Sequence, residues 1–289
     1  MEFYHLRSFV IVAKTGNLTA AAKQLCTTPP AISAHIKSLE EELKTPLFNR
    51  SSKGMSLTDK GKLLLPKAEK TLDSAIDMVN LAAENQSEIM GEFKLSMNQS
   101  PTQLQLPTLL NNLGENCQGI HLNIESLSTG AAIQALLNNT IDGAYIYDDA
   151  PDELFSIFIK YQKITTIAPV DSPLNKDSLI TEFSQSAWIT MGKYCPFDQR
   201  LTSNLKQFNK ANLQTSSDDT RLQLVKAGQG LSFLELEEAQ VAEQLEQVKT
   251  LPQLDFEIPL YFVIKHNKKT EPIIKAMLQE IKILWSLKD

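Results

Sequence analysis

The stretch that decides the fold runs from Thr28 to Gly61 and reads TPPAISAHIKSLEEELKTPLFNRSSKGMSLTDKG. Thr28 stands where a helix N-cap belongs, and Pro29 suits the first helical position because its missing N–H would be unpaired there anyway. Leu47-Phe48 and Met55–Leu57 resemble short strands around a glycine turn. The stretch therefore predicts a recognition helix followed by a basic hairpin, or wing, and with them a double-stranded DNA partner. The predicted helix carries one apolar stripe, formed by Ala31, Ile32, Ile36, Leu39 and Leu43.

A shorter helix is expected just before this one, so that the two form a helix-turn-helix. Residues 3–14 place apolar side chains at spacings of three and four, which predicts an amphipathic helix that Gly16-Asn17 ends. Thr19 is expected to cap the next helix, whose Ala20-Ala21-Ala22 and Leu25 allow close packing against a neighbour.

A long helix is predicted from Thr58-Asp59 onward, with Pro66 inside it as the cause of a slight bend. Its apolar and small residues alternate at steps of four and three, which is heptad spacing sustained for about three repeats. The spacing favours a dimerising helix pair, and a helix packed on its own domain is the alternative. The heptad positions are Gly61, Leu65, Ala68, Leu72, Ala75, Val79 and Ala82.

The charge of the chain is divided unevenly. The net charge is −6 overall, but residues 1–70 hold 11 Lys/Arg against 6 Asp/Glu, whereas residues 71–289 hold 17 against 28. A basic N-terminal quarter on an acidic body favours DNA contact at one end, although composition noise can produce the same split. No run approaches the ~20 apolar residues of a membrane-spanning helix, no signal peptide is visible, and three cysteines are too few for a disulfide framework. We therefore expect a soluble, cytoplasmic protein.

From Glu92 onward the pattern changes to alternating strands and helices. Such alternation argues for parallel α/β units, and two series of this kind predict two lobes with a cleft between them. Strands are predicted over Phe93–Met97, His121–Leu127, Ala144–Tyr147, Ile164–Ala168, Ala187–Met191, Leu231–Leu234 and Leu260–Ile264. Helices are predicted over Leu104–Leu113, Ala131–Leu137, Gln199–Phe208, Arg221–Ala227 and Pro272–Leu287.

Several segments closely resemble the LysR-type transcriptional regulators. They read LTAAA at residues 18–22, PAIS at 30–33, IKSLEEEL at 36–43, LFNR at 47–50 and LTDKG at 57–61. Weaker matches follow: LP at 106–107, IDG at 141–143, SPL at 172–174 and VKAGQG at 225–230. Together the resemblance covers nearly the whole chain, and it is most specific in the first 60 residues.

The resemblance implies three parts. These are a winged helix-turn-helix domain at residues 1–58, a linker and dimerisation helix at 59–90, and an effector-binding domain at 91–289. The effector domain is expected to be an α/β fold of two Rossmann-like lobes, similar to type 2 periplasmic binding proteins, with lobe I at 91–161 and 266–289 and lobe II at 162–265. The family further implies a bacterial cytoplasmic regulator, a homotetramer built as a dimer of dimers, a small-molecule effector and no cofactor.

Nine residues are expected to contact DNA. Ser33 can donate to a phosphate or base edge, alanines can touch a thymine methyl, and the basic side chains suit phosphate or a narrow minor groove. Pro29 stands where the family commonly has glutamine, and Ala34 where it often has arginine, so more specificity is expected from DNA shape and phosphate contact. The nine are Thr28, Pro29, Pro30, Ala31, Ser33, Ala34, Lys37, Arg50 and Lys53.

Eight residues are expected to bind the effector. Loops that lead from strands into helix N-termini attract anions, so hydroxyls at these junctions suggest a carboxylate ligand; plain helix capping explains the same hydroxyls equally well. Arg200 or Arg221 could supply charge, and Cys195, with no second cysteine near it in sequence, is expected to be an unreactive thiol. The eight are Gln99, Ser100, Thr102, Ser128, Thr129, Tyr194, Phe197 and Thr220.

Other classes of protein were weighed. A solute-binding protein is disfavoured by the basic N-terminal region and the missing signal peptide. An enzyme is disfavoured because the sequence has no metalloprotease, nucleophile-elbow or phosphate-loop motif and its four histidines are dispersed. A constitutive DNA-binding protein without an effector remains the alternative. No metal site is expected.

Overall fold

A computed structural model describes residues 1–51, 54–83, 88–192, 194–215 and 217–287. The chain divides into two compact units, Met1–Glu84 and Asn85–Asp289. The first unit contains a helical core with a two-stranded hairpin. Its elements are α1 (Phe3–Thr15), α2 (Leu18–Gln24), α3 (Pro29–Leu43), β1 (Phe48–Ser51), β2 (Gly54–Leu57) and α4 (Asp59–Ala82).

The predicted helix-turn-helix is confirmed, with one correction at a cap. Thr28 caps α3 and Pro29 opens it, as expected. The N-cap of α2, however, is Asn17, whose Oδ1 accepts the N–H of Thr19 at 2.8 Å and of Ala20 at 3.1 Å. Thr19 is already helical, so its hydroxyl does not cap this helix. Buried side chains of α1 and α3 meet in one core, which includes Phe9, Val12, Ile32, Ile36 and Leu39.

Helix α4 packs its first half on this same core. Gly61 and Ala68 are buried, and Leu65 and Leu72 are partly buried against the core. The first half of the heptad stripe therefore packs within the first unit. An added Cβ at Gly61 would overlap the carbonyl oxygen of Leu47, which is why a glycine stands at this close approach. Further along the helix, the heptad residue Val79 is half exposed. The dimerising role of that second half stays a prediction.

The second unit is an α/β fold. We call lobe I the part built on β3, β4 and β5, and lobe II the part built on β7, β8 and β9. Lobe I contains β3 (Met90–Ser96), α5 (Leu106–Asn116), β4 (Gly119–Glu125), α6 (Thr129–Leu137), β5 (Gly143–Tyr147) and α11 (Pro272–Leu284). Lobe II contains α7 (Ile180–Gln185), β7 (Ala187–Thr190), α8 (Pro196–Leu205), β8 (Asn209–Gln214), α9 (Asp218–Lys226), β9 (Ser232–Glu235) and α10 (Leu236–Gln244).

Two long strands, β6 (Leu154–Ala168) and β10 (Lys249–Lys265), run through both lobes. The six-stranded sheet has the order β4-β3-β5-β10-β6-β9; β3 is parallel to β4 and β5, whereas β10 is antiparallel to β5 and β6, and β9 is antiparallel to β6. The prediction of parallel units is therefore correct for the outer strands of lobe I and for the β7–β8 pair. It is wrong for the centre of the sheet, because the chain crosses between the lobes twice in opposite directions.

Three elements of lobe II were not predicted, namely α7, β8 and α10. Strand β8 reads NKANLQ and is largely exposed, so it has no apolar alternation that would identify a strand. Helix α10 reads LEEAQVAEQ, with Ala239 and Ala242 as its buried contacts, which is a weak apolar stripe. Strand β8 pairs with β7, and α10 packs on β6, β9 and β10.

Candidate DNA-binding surface and effector cleft

The outward face of α3 carries most of the predicted DNA contacts. Pro30, Ala34 and Lys37 are exposed, and Ala31 and Ser33 are partly buried. Thr28 is also exposed, but its Oγ1 accepts the N–H of Ala31 at 3.4 Å and is therefore shared with the cap. The Lys37 ammonium lies 3.6 Å from Glu41, an exposed pair that contributes little and leaves the lysine able to exchange partners.

The wing lies beside the recognition helix, and a hydrogen bond between two predicted DNA-binding side chains joins them. Arg50, on β1, donates from Nη2 to the Ser33 hydroxyl at 3.3 Å. The structure thus brings together two residues predicted independently from the helix and the wing. Lys53, the other basic wing residue, lies outside the described residues.

Gly54 fixes the wing to the turn between α1 and α2. The Met55 N–H donates to the Gly16 carbonyl at 2.8 Å. Gly54 has φ +121°, and an added Cβ would lie 2.5 Å from that same carbonyl oxygen. Only glycine meets both the backbone angle and the close approach without strain.

Glu40 organises the connection from recognition helix to wing, and the sequence did not single it out. Its Oε1 accepts the N–H groups of Leu47 at 2.7 Å and Phe48 at 3.2 Å. A carboxylate that accepts two backbone N–H groups is a strong, charge-assisted anchor. Glu40 stands in a run of three glutamates, and nothing in that run distinguishes it from its solvent-facing neighbours.

In the second unit, two cavities open between the lobes, and the predicted effector residues are divided between them. The larger, about 830 Å³, is lined by Thr129 and Gly130 of α6, by Tyr147 at the end of β5 and the two residues after it, and by Tyr194, Pro196 and Gln199 of lobe II. The smaller, about 320 Å³, is lined by residues 97–101 and 124–126 of lobe I and by Ser217–Asp219 and Glu238 of lobe II. Thr129 and Tyr194 line the first cavity, and Gln99 and Ser100 line the second.

The other four predicted residues have different positions. Phe197 is buried in the core, with its ring centroid 5.1 Å from Tyr147 and 5.8 Å from Phe256, so its aromatic ring serves packing. Thr220 lies in the first turn of α9, where its N–H and hydroxyl both contact the N-cap Ser217, which is the capping alternative. Thr102 and Ser128 are not among the described residues that line either cavity.

A buried contact between Tyr147 of lobe I and Glu235 of lobe II lies beside these cavities. The Tyr147 hydroxyl donates to Glu235, which is only 2% exposed. Burial raises the pKa of Glu235 to about 7 and holds the pKa of Tyr147 well above its usual range. The lobes also touch at Gly130, where an added Cβ would overlap the side chain of Tyr194.

Arg221 faces the interior of lobe II. It is 1% exposed, pairs with Asp218, and donates from Nη1 to the Phe233 carbonyl at 2.8 Å. Burial lowers the pKa of its guanidinium, and nearby ionisable groups partly offset this. Its charge is therefore engaged inside the protein. Arg200, the other cationic residue considered, is exposed on α8.

Cys195 is a buried thiol that contacts Met191, with 3.5 Å between the two sulfur atoms. Burial raises the pKa of the thiol to about 11, so it stays protonated near neutral pH. None of the three cysteines forms a disulfide; Cys117 is buried in lobe I and Cys26 is exposed in the first unit. These features favour an unreactive Cys195.

A winged helix-turn-helix unit joined to a two-lobed α/β unit is an architecture typical of DNA-binding regulators, and comparison with known proteins gives the family. Residues 3–62 match the bacterial regulatory helix-turn-helix protein, lysR family, and residues 86–285 match the LysR substrate binding domain. The chain belongs to the LysR family of DNA-binding transcription regulators. The resemblance stated from the sequence is thereby confirmed. Within the described residues, no helix is both long and apolar enough to cross a membrane.

Relatives and solved structures agree with this placement. The chain is 30% identical over 209 residues to the HTH-type transcriptional regulator CzcR of Bacillus subtilis (strain 168), covering 71% of this chain and 69% of that protein. It is 28% identical over 240 residues to CzcR of Bacillus anthracis, with 81% and 80% covered. Both relatives are named as HTH-type transcriptional regulators.

Among solved structures, a probable transcriptional regulator, PA0477 from Pseudomonas aeruginosa, aligns with a TM-score of 0.77 at 17% identity, covering 100% of this chain and 97% of that one. Full-length CbnR complexed with its target DNA aligns with a TM-score of 0.64 at 19% identity, covering 98% and 100%. At these identities the likeness supports the fold alone.

Proposed function

We propose that this protein binds operator DNA through α3 and the wing, and that a small-molecule effector in the interlobe cleft changes the arrangement of paired DNA-binding heads. The N-terminal turns of α3 enter the major groove, while Arg50 and Lys53 of the wing contact phosphate or the minor groove. The observation that carries this proposal is the Arg50–Ser33 hydrogen bond, because it makes helix and wing one continuous surface. CbnR, a protein of the same fold, is known in complex with its target DNA.

The proposed layout keeps residues 1–58 as the DNA-binding domain, 59–90 as the linker, and 91–289 as the effector domain. Helix α4 pairs with its copy through the second half of the heptad stripe, and two such dimers form a tetramer. Half-site spacing then matters as much as any base contact, since effector-driven movement of the lobes changes the distance between heads.

The DNA interface is tested with Ser33→Ala and Arg50→Ala against a duplex selected in vitro from random sequence. We expect both variants to bind more weakly, with a smaller salt slope only for Arg50→Ala, because removing one phosphate contact lowers that slope by about one. Arg7→Ala is the charge-matched control, since Arg7 is exposed on α1 outside the helix and wing. Unchanged affinity in both test variants would refute the assigned surface.

A constitutive DNA-binding protein is the second candidate. It is favoured by the close contacts that already join the lobes, Tyr147 with Glu235 and Gly130 with Tyr194. Ligand screening by thermal shift separates the two candidates, because a constitutive protein would show operator binding and no small-molecule response. Measuring operator affinity with and without any stabilising compound then tests whether binding is coupled to DNA.

A further inference from the structure

Three of the residues that line the smaller interlobe cavity carry polar atoms with unmet hydrogen-bonding capacity. Among the described residues, the buried atoms Asn98 Oδ1, Gln99 Nε2 and Glu238 Oε2 have no hydrogen-bond partner, and all three residues line this cavity of about 320 Å³. Gln99 is only 4% exposed, and its Oε1 is held by the Asn98 N–H at 3.2 Å. Buried polar atoms are rarely left unpaired, so their convergence on one cavity indicates a ligand that completes them.

The charge of the cavity wall is strongly negative. The lining includes the carboxylates of Glu125, Asp218, Asp219 and Glu238, and no lysine or arginine among the described residues. Arg221 does not line the cavity, but it forms an ion pair with Asp218 and neutralises one of these charges. Burial raises the pKa of the Glu238 carboxyl, the charge of Asp219 raises it further, and the charge of Arg221 lowers it. The direct partners of Arg221 are Asp218 and the Phe233 carbonyl, so the repulsion between Asp219 and Glu238 favours an additional cation in the cavity.

The helix N-terminus at this cavity does not offset that charge. The first turn of α9 carries Asp218 and Asp219, which already complement the helix dipole, and Ser217 caps the helix by accepting the Thr220 N–H. A carboxylate ligand in this cavity would therefore meet two acidic side chains at the start of α9. The geometry thus works against the anionic effector expected from the sequence.

The unpaired atoms also define which kind of cation fits. No group of three or more His, Cys, Asp or Glu side chains in the described part of the chain is placed to hold a metal ion. Glu238 Oε2 and Asn98 Oδ1 are acceptors and need N–H donors, whereas Gln99 Nε2 is a donor and needs an oxygen atom. An alkylammonium group next to a hydroxyl or carbonyl oxygen satisfies all three.

We propose that the effector is a small organic cation, an amine with a neighbouring oxygen acceptor, bound between Asn98 and Gln99 of lobe I and Asp219 and Glu238 of lobe II. The inference rests on the proposed function, because it names the ligand class of the interlobe cleft. Since the ammonium contacts both lobes, it stabilises their closed arrangement and relieves the repulsion between Asp219 and Glu238.

The test uses two pairs of probes matched in length: 2-aminoethanol against glycolate, and 3-aminopropan-1-ol against 3-hydroxypropanoate. Thermal unfolding of the full chain is followed by tryptophan fluorescence at constant ionic strength, and affinity by calorimetry. Trp188 and Trp285, the chain's two tryptophans, both lie in the unit that contains the cavity. We expect the amines to raise Tm and the carboxylates to leave it unchanged.

Variants then locate the binding site. Glu238→Gln should weaken amine binding at least tenfold and Asp219→Asn several-fold, whereas Glu237→Gln, an exposed neighbour with the same change of charge, should bind as the wild type does. Amine affinity should also fall as the solution is made more acidic, since burial and the charge of Asp219 raise the pKa of the Glu238 carboxyl, against the opposing charge of Arg221, and its protonation removes the charge that holds the amine.

Two outcomes would overturn the inference: stabilisation by the carboxylates alone, or no binding of either amine. The same preparations are assayed for binding to the selected duplex. If DNA binding is intact and the amines fail, the ligand class is wrong and the regulator function stands. Loss of specific DNA binding by the wild-type protein would instead count against the proposed function.

Discussion

Replacing Glu235 by glutamine should stabilise the Asn85–Asp289 unit at alkaline pH and leave it unchanged in acid. Glu235 is almost fully buried, and its pKa is raised from an ordinary value of 4.5 to about 7, chiefly by burial. An acid with a raised folded pKa favours the protonated folded state, so the stability it contributes is complete below pH 4.5 and is lost as the pH rises through 7. The difference between the two pKa values corresponds to about 3 kcal/mol.

Glutamine removes this titration while keeping the contact with Tyr147, because its Oε1 can still accept the tyrosine hydroxyl. The amide nitrogen takes the place of Oε2, an atom that has no partner in the described residues, so no existing hydrogen bond is lost there. The groups that face Glu235 are Tyr147 on β5, Lys160 on β6, Arg221 on α9 and Glu238 on α10. The variant also loses the attraction of the carboxylate to Arg221 and Lys160, so we expect its free energy of unfolding at pH 8 to exceed that of the wild type by about 1–3 kcal/mol.

The assay is urea unfolding at intervals from pH 4.5 to pH 8.5, followed by tryptophan fluorescence, which reports on this unit alone. The free energy of unfolding of the wild type should fall relative to the variant as the pH rises from 4.5 to 7. Glu237→Gln, an exposed neighbour with the same change of charge, should follow the wild type. Parallel pH profiles for wild type and Glu235→Gln would refute the reasoning, because they would mean that this carboxyl does not titrate differently in the folded state.

Three further predictions concern the anchors and the thiols. Gly54→Ala should destabilise the wing by about 1–3 kcal/mol, because φ at this position is +121° and the new Cβ would meet the Gly16 carbonyl. Thermal unfolding checks this. Gly114→Ala is the control and should not destabilise the protein, because the surroundings of Gly114 on α5 are open. Glu40→Ala should lower the free energy of unfolding by about 2–3 kcal/mol, because two charge-assisted hydrogen bonds are lost. Glu41→Ala, at an exposed position, should lower it by less than about 1 kcal/mol. Equal melting temperatures for the two variants would contradict this prediction. A thiol reagent should label only Cys26 in the native protein and all three cysteines in urea; fast native labelling of Cys195 would show that it is accessible.

The first unit was largely predictable because its signals are local. The cap at Thr28, the proline at the first helical position and the apolar stripe through Ile32, Ile36 and Leu39 all lie within one helix, and the structure confirms them. The misplaced cap of α2 shows the limit of such signals. Asn17 and Thr19 are both good caps, and only the backbone conformation decides between them.

The second unit was less predictable because its decisive contacts span long separations in sequence. Tyr147 and Glu235 are 88 residues apart, and neither is marked by a motif. The predicted strand Leu260–Ile264 was only the last part of β10, since the stretch before it owes its strand conformation to pairing with β6. Hydroxyls at helix starts predicted anion sites, but the charges facing them come from α9 and α10, which are distant in the chain.

The pairing of β6 with β10 through both lobes limits where the length of this chain can change by insertion or deletion. Side chains alternate between the two faces of a strand, and the register between β6 and β10 shifts at two places, between Leu251 and Phe256 and between Leu260 and Tyr261. At the second shift Leu260 pairs with Lys160 and Tyr261 with Phe158, so Ile159 is an extra residue on β6, a β-bulge. Away from these two irregularities, deleting one residue of β6 would reverse the facing of every side chain on one side of the change, so one lobe would lose its core contacts. We therefore expect single-residue insertions and deletions to be tolerated in the loops of each lobe and at this bulge, but not in the regularly paired parts of the two strands.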